Sequence, residues 1–223
     1  GSQVISYHAA ILLQERGIKI GIDRDYFNHS NPTAGVTQFA LDPYISRKLN
    51  SFSASPSSYA LKLNDSSLKF ELGIASIVKN ADTVRDDLLN LSPKSLHLDE
   101  TRPNIVIHVR RGDFCNVADY VRPIEQQISK ISSALLNSSN IMIVTDSVDQ
   151  VQKELTKSET LKPISSSVSI LGPNETDLYE TLKIMFMADI LISSNSQLSL
   201  ICTIISENLG LFDADKYVKN QSY

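Results

Sequence analysis

The sequence predicts an α/β fold, a Rossmann-like doubly wound parallel sheet, and three observations carry that expectation. The second half alternates short β-branched runs with amphipathic segments of ten or more residues, the pattern of parallel strands joined by helical crossovers. The longest unbroken apolar runs, among them Ile105-Val-Ile107 and Ile141-Met-Ile-Val144, are strand-sized. With 42% hydrophobic residues in 223, the chain can build one generous domain or two lean ones.

Taken in order, Ser2 to Arg16 reads as a helix with Val4, Ile5, Ala9, Leu12 and Leu13 on one face. Gly17 is placed to stop it, and Ile18 to Ile22 reads as a strand. From Asp25 to Ser67 the Asn, Pro and Ser content rises, which predicts loops on a rim. Pro93 and Pro103 bracket a charged stretch, so the chain is expected to divide into residues 1–95 and 96–223. A strand follows at Asn104 to Val109, then a helix across Tyr120 to Leu136 with Val121, Ile124, Ile128, Ile131 and Leu135 in its stripe. The alternation continues with a strand at Asn140 to Thr145, a helix at Ser147 to Lys157, a strand at Ser167 to Leu171 and a helix at Asp177 to Met187. It ends with a strand at Asp189 to Ser193 and a helix at Ser196 to Ser206.

Composition excludes several classes of function. Lys+Arg 21 against Asp+Glu 25 gives a net charge of -4, so no overall basic field draws the chain to nucleic acid or to an anionic membrane. No apolar run approaches the ~20 residues that span a bilayer, and no signal peptide is recognisable, so the expectation is a soluble chain without a membrane span. Cys115 and Cys202 cannot make a multi-bridge framework, which fits a reducing compartment and favours a cytoplasmic protein of microbial or viral origin. Sequons such as those at Asn28, Asn64, Asn137 and Asn174 keep open a Golgi lumenal domain without its anchor. No glycine pattern makes a dinucleotide turn or a Walker loop, and neither zinc spacing nor a nucleophile elbow is present. Asp23-Arg-Asp25 and Asp213-Ala-Asp215 have the D-x-D form that holds a divalent ion in metal-dependent sugar transferases, and equally the form of solvated turn acids.

Two strand ends stand out. In Ile105-Val-Ile-His-Val-Arg-Arg-Gly-Asp-Phe114 a strand runs directly into two arginines, where open α/β sheets bind their ligands. A guanidinium fork matches phosphate oxygens, so Arg110 and Arg111 suit a diphosphate; the alternative is structural ion pairing with a neighbour such as Asp113, and a core role for His108. Asp189-Ile-Leu-Ile-Ser-Ser-Asn-Ser-Gln-Leu-Ser199 ends a strand in hydroxyl and amide groups that open a helix. Ser194, Asn195 and Ser196 there can serve an anion or simply cap the helix. Thr145-Asp-Ser147 ends a third strand, placing Asp146 to meet a ribose or base edge, or to cap.

His108-Val-Arg-Arg-Gly-Asp-Phe114 resembles the H-x-R-R-G-D-[YF] motif of the α1,2-fucosyltransferases. Ile141 to Asp146 resembles that family's strand ending in Ser/Thr-Asp, Thr176-Asp-Leu178 its D-L helix start, and Ala188 to Ser199 its strand leading to A-N-S-[ST]-F-S. Gly1-Ser-Gln-Val-Ile-Ser-Tyr-His-Ala-Ala10 resembles its opening G-N-Q-[ML]-F-Q-Y-A-x-A, which the family precedes with a strand. The chain departs from the pattern at Ser2, where the family has Asn, and at Leu200-Ile-Cys-Thr-Ile204, where it is tryptophan-rich.

The resemblance implies a compact, metal-independent, two-lobed arrangement of the GT-B type with a reduced N-terminal lobe. Residues 1–95 would then form the acceptor side and residues 96–223 the nucleotide-sugar lobe. The implied reaction is inverting transfer of L-fucose from GDP-L-fucose to a glycan hydroxyl, with no cofactor and no nucleic-acid partner. Arg110 would stabilise the leaving phosphate, and Asp113 would act as base or as orienter of the arginines. His108, Arg111, Asp146, Ser194, Asn195 and Ser196 would join Arg110 in binding the donor. With no tryptophan in the chain, stacking on the acceptor falls to Tyr26, Phe27 or Phe114. Three alternatives stand beside this reading: another UDP- or GDP-linked pentose or deoxysugar, a metal-dependent transferase using Asp23 and Asp25, and a non-catalytic nucleotide-binding homologue.

Overall fold

A computed structural model describes residues 2–18, 20, 66–91, 98, 100–112, 115 and 121–211. The chain divides into two compact units, Gly1–Asp87 and Leu88–Tyr223, where the sequence puts the division at 95/96.

The described residues of the first unit are mostly helical. Helix α1 spans Ser2–Glu15 and buries Val4, Ile5, Ala9 and Leu12, the face expected from their spacing. Gly17 stops it at φ 78, a left-handed value that costs a residue without Cβ nothing. Its N–H and that of Ile18 then reach back to the carbonyls of Gln14 and Leu13, at 2.9 and 3.1 Å, satisfying two of the last-turn acceptors. Helices α2 (Ser66–Lys79) and α3 (Ala81–Leu89) were not expected from the sequence. The signal for α2 is nonetheless there, since Phe70, Ile74 and Ile77 recur at helical spacing and Ile77 is fully buried. Helix α2 packs on α1, with Lys79 Nζ 2.7 Å from Glu15 Oε2 at its end. The strand expected at Ile18 to Ile22 lies mostly outside the described residues.

The second unit is an α/β layer structure built on a five-stranded, all-parallel sheet in the order β3-β2-β1-β4-β5. Strands β1 (Asn104–Val109) and β2 (Asn140–Thr145) pair over their full six-residue lengths, Ile105 opposite Ile141 and Ile107 opposite Ile143. Their central residues, Ile105 to Ile107 and Ile141 to Val144, are apolar, as strands covered on both faces require, and every residue of β1 is buried, Asn104 and His108 included. Ile105, Ile107 and Val109 meet Ile124, Ile128, Val151 and Leu155 in the main core cluster. Strands β3 (Val168–Leu171), β4 (Ile190–Ile192) and β5 (Leu209–Leu211) complete the sheet.

The crossovers follow the expected alternation with one exception. In place of a single helix from Tyr120 to Leu136 there are two short ones, α4 (Ile124–Ile128) and α5 (Ser133–Ser138). The break has a local cause: the Ser132 hydroxyl accepts the Leu135 N–H at 3.3 Å and so starts a new helix. Helix α6 (Val148–Lys157) buries Val151 and Leu155, and a single turn, α7 (Lys162–Ser165), follows it. Helix α8 (Leu178–Met187) begins at the Asp177-Leu178 start with a capping box: Asp177 Oδ1 accepts the N–H groups of Tyr179 and Glu180, and Glu180 Oε2 accepts that of Asp177. Helix α9 (Gln197–Ile205) leads into β5.

At the amino end of the sheet Asp189 Oδ2 accepts the Asn104 N–H at 2.7 Å, and Asn140 Nδ2 donates to Asn104 Oδ1 at 2.9 Å. Cys115 and Cys202 are both free thiols. Among the described residues no helix is long and apolar enough to cross a membrane.

Candidate functional site

The strand order defines where a ligand can enter. From β1 the chain crosses to β2 on one side, and from β3 it returns past β1 to β4 on the other. The strand order therefore reverses direction between β1 and β4, and the carboxyl ends at such a switch point are where open α/β sheets have their ligand-binding crevice. Arg110, Arg111 and Gly112 leave β1 at this point, Ser193 to Ser196 leave β4, and Asp146 leaves the neighbouring β2.

The two arginines have different environments. Arg111 is buried at 5% exposure and is held by Glu154 of α6: Nε and Nη2 reach Glu154 Oε2 at 3.2 and 2.6 Å. Nη1 donates to the Arg110 carbonyl at 3.0 Å and Nη2 also to that of Arg122 at 2.9 Å. The other Glu154 oxygen accepts the Ile124 N–H at 2.6 Å, tying the start of α4 to the same pair. Of the two roles open from the sequence, structural pairing is the one seen for Arg111, with Glu154 as its carboxylate partner among the described residues.

Arg110 keeps a third of its side chain exposed and sets Nε 3.1 Å from Asp146 Oδ2. Asp146 Oδ1 accepts the Arg111 N–H at 2.7 Å, so one carboxylate grips both the side chain and the backbone of the β1 exit. Gly112 follows at φ 32, and a Cβ placed on it would run into Asp146 Oδ2. A side chain at this position would force the Asp146 carboxylate or the loop to shift.

The β4 exit is a buried hydroxyl network. Ser196 caps α9, its hydroxyl accepting the Ser199 N–H at 3.0 Å, so the capping role weighed from the sequence is realised there. Ser194 Oγ accepts the Ser196 N–H at 3.2 Å, lies 3.2 Å from Ser199 Oγ and 2.9 Å from His108 Nδ1. Ser196 Oγ donates to Ser199 Oγ at 3.2 Å, and Ser199 Oγ also contacts His108 Nδ1. Asn195 is buried between them in sequence at 1% exposure. Gln127 of α4 joins the two exits, its Nε2 donating to the carbonyls of His108 and Ser193 at 3.1 and 3.4 Å.

His108 is itself buried, and burial first, then the positive charge of Arg110, pushes its pKa down from the ordinary 6.5 to about 4. At neutral pH it is an uncharged ring, able to hydrogen-bond a ligand but not to add a positive charge to an anion site.

The structure thus brings His108, Arg110, Arg111, Asp146, Ser194, Asn195 and Ser196 to the carboxyl ends of three adjacent strands. Asp113, Phe114, Tyr26 and Phe27, and both D-x-D pairs, lie outside the described residues. Among the described residues no three His, Cys, Asp or Glu side chains converge as a metal site would.

Three members of the cluster were assigned no role from the sequence. Glu154 follows Val151 by three positions and so borders the buried stripe of α6, where a charge needs a partner. Gln127 falls inside the Ile124/Ile128 stripe, and a polar residue there is the sign of a buried hydrogen-bonding duty. Ser199 lies one helical turn beyond the cap Ser196, facing the same way.

Fold and site together define an α/β protein with a parallel sheet compatible with the Rossmann-like class and a polar cluster at its switch point. Searched against protein-family models, curated proteins and solved structures, the chain matches none of them.

Proposed function

We propose that this chain is an inverting, metal-independent glycosyltransferase that takes a nucleotide sugar, GDP-L-fucose first among the candidates, at the β1/β4 switch point and transfers the sugar to a glycan hydroxyl. The observation that carries the reading is the convergence of Arg110, His108 and the hydroxyl-rich start of α9 at one crevice, in the order of the H-x-R-R-G-D resemblance. An arrangement of two lobes of the GT-B type, with residues 1–95 on the acceptor side, and a cytoplasmic setting belong to the same proposal.

In this mechanism an acceptor oxygen attacks the anomeric carbon from the face opposite the nucleotide. The bond to the β-phosphate oxygen breaks, its electron pair leaves with GDP, and the acceptor proton passes to Asp113 or to water. Negative charge grows on the departing oxygen, and Arg110 is the partly exposed cation at the crevice that can meet it. Asp146 holds that guanidinium at Nε, so it fixes the direction of the fork while partly offsetting its charge. Arg111, bound to Glu154, acts by holding the loop rather than by touching the donor.

A second reading, a nucleotide-binding homologue without transfer, is favoured by one feature: both arginines already have carboxylate partners, which lowers the positive potential of the crevice. Thermal shift with GDP and UDP, followed by a transfer and donor-hydrolysis assay with GDP-L-fucose, separates these readings. Stabilisation by GDP and turnover that falls about 100- to 1,000-fold in Arg110→Ala are expected. Stabilisation by UDP alone would replace the donor, unchanged turnover in Arg110→Ala would remove the mechanism, and binding without turnover would leave the second reading.

A further inference from the structure

We infer that His108 is held as the neutral tautomer with its proton on Nε2, fixed there by Ser194 and Ser199, and that it meets a bound ligand as a hydrogen-bond donor to an acceptor oxygen rather than as a base. The inference rests on counting protons in the network at the start of α9. Each serine hydroxyl has one proton to donate and two lone pairs to accept with, and a neutral imidazole has one N–H and one bare nitrogen.

Two assignments are fixed at the outset. Ser196 Oγ accepts the Ser199 N–H and donates its own proton to Ser199 Oγ. Ser194 Oγ accepts the Ser196 N–H. What remains is a triangle of Ser194 Oγ, Ser199 Oγ and His108 Nδ1, all in mutual contact.

If Nδ1 is bare, every proton finds an acceptor. Ser194 donates to Ser199, and Ser199, now accepting from both Ser194 and Ser196, donates to Nδ1. If Nδ1 carries the proton instead, it occupies one hydroxyl as a donor and can accept from neither. One of the two serines then donates to the other, and the second hydroxyl proton has no acceptor among the described residues. An orphaned buried hydroxyl costs about 1–3 kcal/mol, enough to settle a tautomer equilibrium. Ser194 and Ser199 are both buried, at 5% and 0% exposure, so water cannot easily rescue it.

With Nδ1 accepting, Nε2 carries the N–H, and it has no hydrogen-bond partner among the described residues. It is the donor the network leaves for a ligand. The strongly lowered basicity of the ring, from burial and from Arg110, agrees with a group kept neutral for this duty. Ser194 and Ser199 are positioning residues here, acting through His108. The ligand side of this inference rests on the nucleotide reading above, where the acceptor would be a phosphate or sugar oxygen.

The test is long-range proton–nitrogen NMR on the full chain labelled with 15N, His108 being identified by the loss of its resonances in His108→Asn. The expected spectrum has a bare Nδ1 and a protonated Nε2, unchanged between about pH 5.5 and pH 8. A proton on Nδ1, an imidazolium at pH 7 or a rapidly averaged mixture would overturn the inference. Ser194→Ala and Ser199→Ala should each keep the tautomer, since either remaining hydroxyl can donate to Nδ1, whereas the double variant should lose it. A single variant that loses it, or a folded double that keeps it, counts against the positioning role. The wild-type and single-variant spectra decide the matter if the double does not fold. Added GDP should move the Nε2–H resonance, and GDP that binds by thermal shift without moving it would overturn the donor role. Because the tautomer is read without ligand, a failure of GDP to bind overturns the nucleotide reading while the tautomer still decides this one.

Discussion

Removing the Glu154 carboxylate should destabilise the second unit more than removing the arginine it holds. In Glu154→Ala, Arg111 keeps its charge with a side chain only 6% exposed, and the Ile124 N–H loses its acceptor. Breaking a buried ion pair from one side typically costs about 3–5 kcal/mol. Glu154 is 28% exposed, so water can partly replace it and the lower end, about 3 kcal/mol, applies. In Arg111→Met the group left behind is the more exposed carboxylate, which can turn to solvent and keep its bond to Ile124, so about 1–2 kcal/mol is expected. Urea unfolding followed by far-ultraviolet circular dichroism measures both, the chain having no tryptophan to report by fluorescence. With a slope near 2 kcal/mol per molar urea, Glu154→Ala should lower the midpoint by about 1.5 M. Glu154→Gln, which keeps one acceptor oxygen of the two and removes the charge, should fall between. A Glu154→Ala midpoint within about 0.3 M of wild type, or an Arg111→Met variant less stable than Glu154→Ala, would refute the asymmetry drawn from their unequal burial.

Acid should expose His108 in a similar way. Its pKa falls from 6.5 unfolded to about 4 folded, so its contribution is fully present above pH 6.5 and is lost as the pH drops towards 4. At 1.36 kcal/mol per pH unit that interval amounts to about 3 kcal/mol, to be read as the difference between the stability–pH curves of wild type and His108→Asn. Parallel curves across the window would exclude it. Gly112→Ala should cost about 1–3 kcal/mol in the same urea assay, because its Cβ meets Asp146 and its φ is strained, and an alanine variant as stable as wild type would show that the loop can yield.

The sheet was legible in the sequence because its central strands are unbroken apolar runs. β1 and β2 fall on the expected residues, and β3 and β4 within a residue or two of them. β5 escaped notice because Leu209-Gly-Leu211 is too short to show any period and takes its identity from pairing with β4. The helix expected across Tyr120 to Leu136 failed because its apolar stripe is continuous in sequence while a serine cap interrupts the backbone. At the site, the strand ends named which residues would gather, since topology alone brings them to one edge. What they bond to was not legible: that Arg111 is claimed by Glu154, 43 residues away, and His108 by Ser199, 91 residues away, depends on which helix covers which face. Spacing within a segment says nothing about that.

The sheet is not equally fastened along its width. Strand β1 is tied to β2 by a six-residue ladder, but to β4 by only three paired residues, Ile105 to Ile107 against Ile190 to Ile192. The crevice sits across that weaker seam, with Gln127 as a stitch over it. The β4–α9–β5 segment can therefore part from β1 in a partial opening that leaves β1, β2 and β3 paired, at less cost than global unfolding. Such an opening would take Ser194 and Ser199 away from His108 all at once, so the polar cluster exists only while the seam is closed. Any ligand that bridges β1 and β4 would act as a further fastener, and the rate at which the seam opens would set an upper limit on how quickly a ligand enclosed by it could leave.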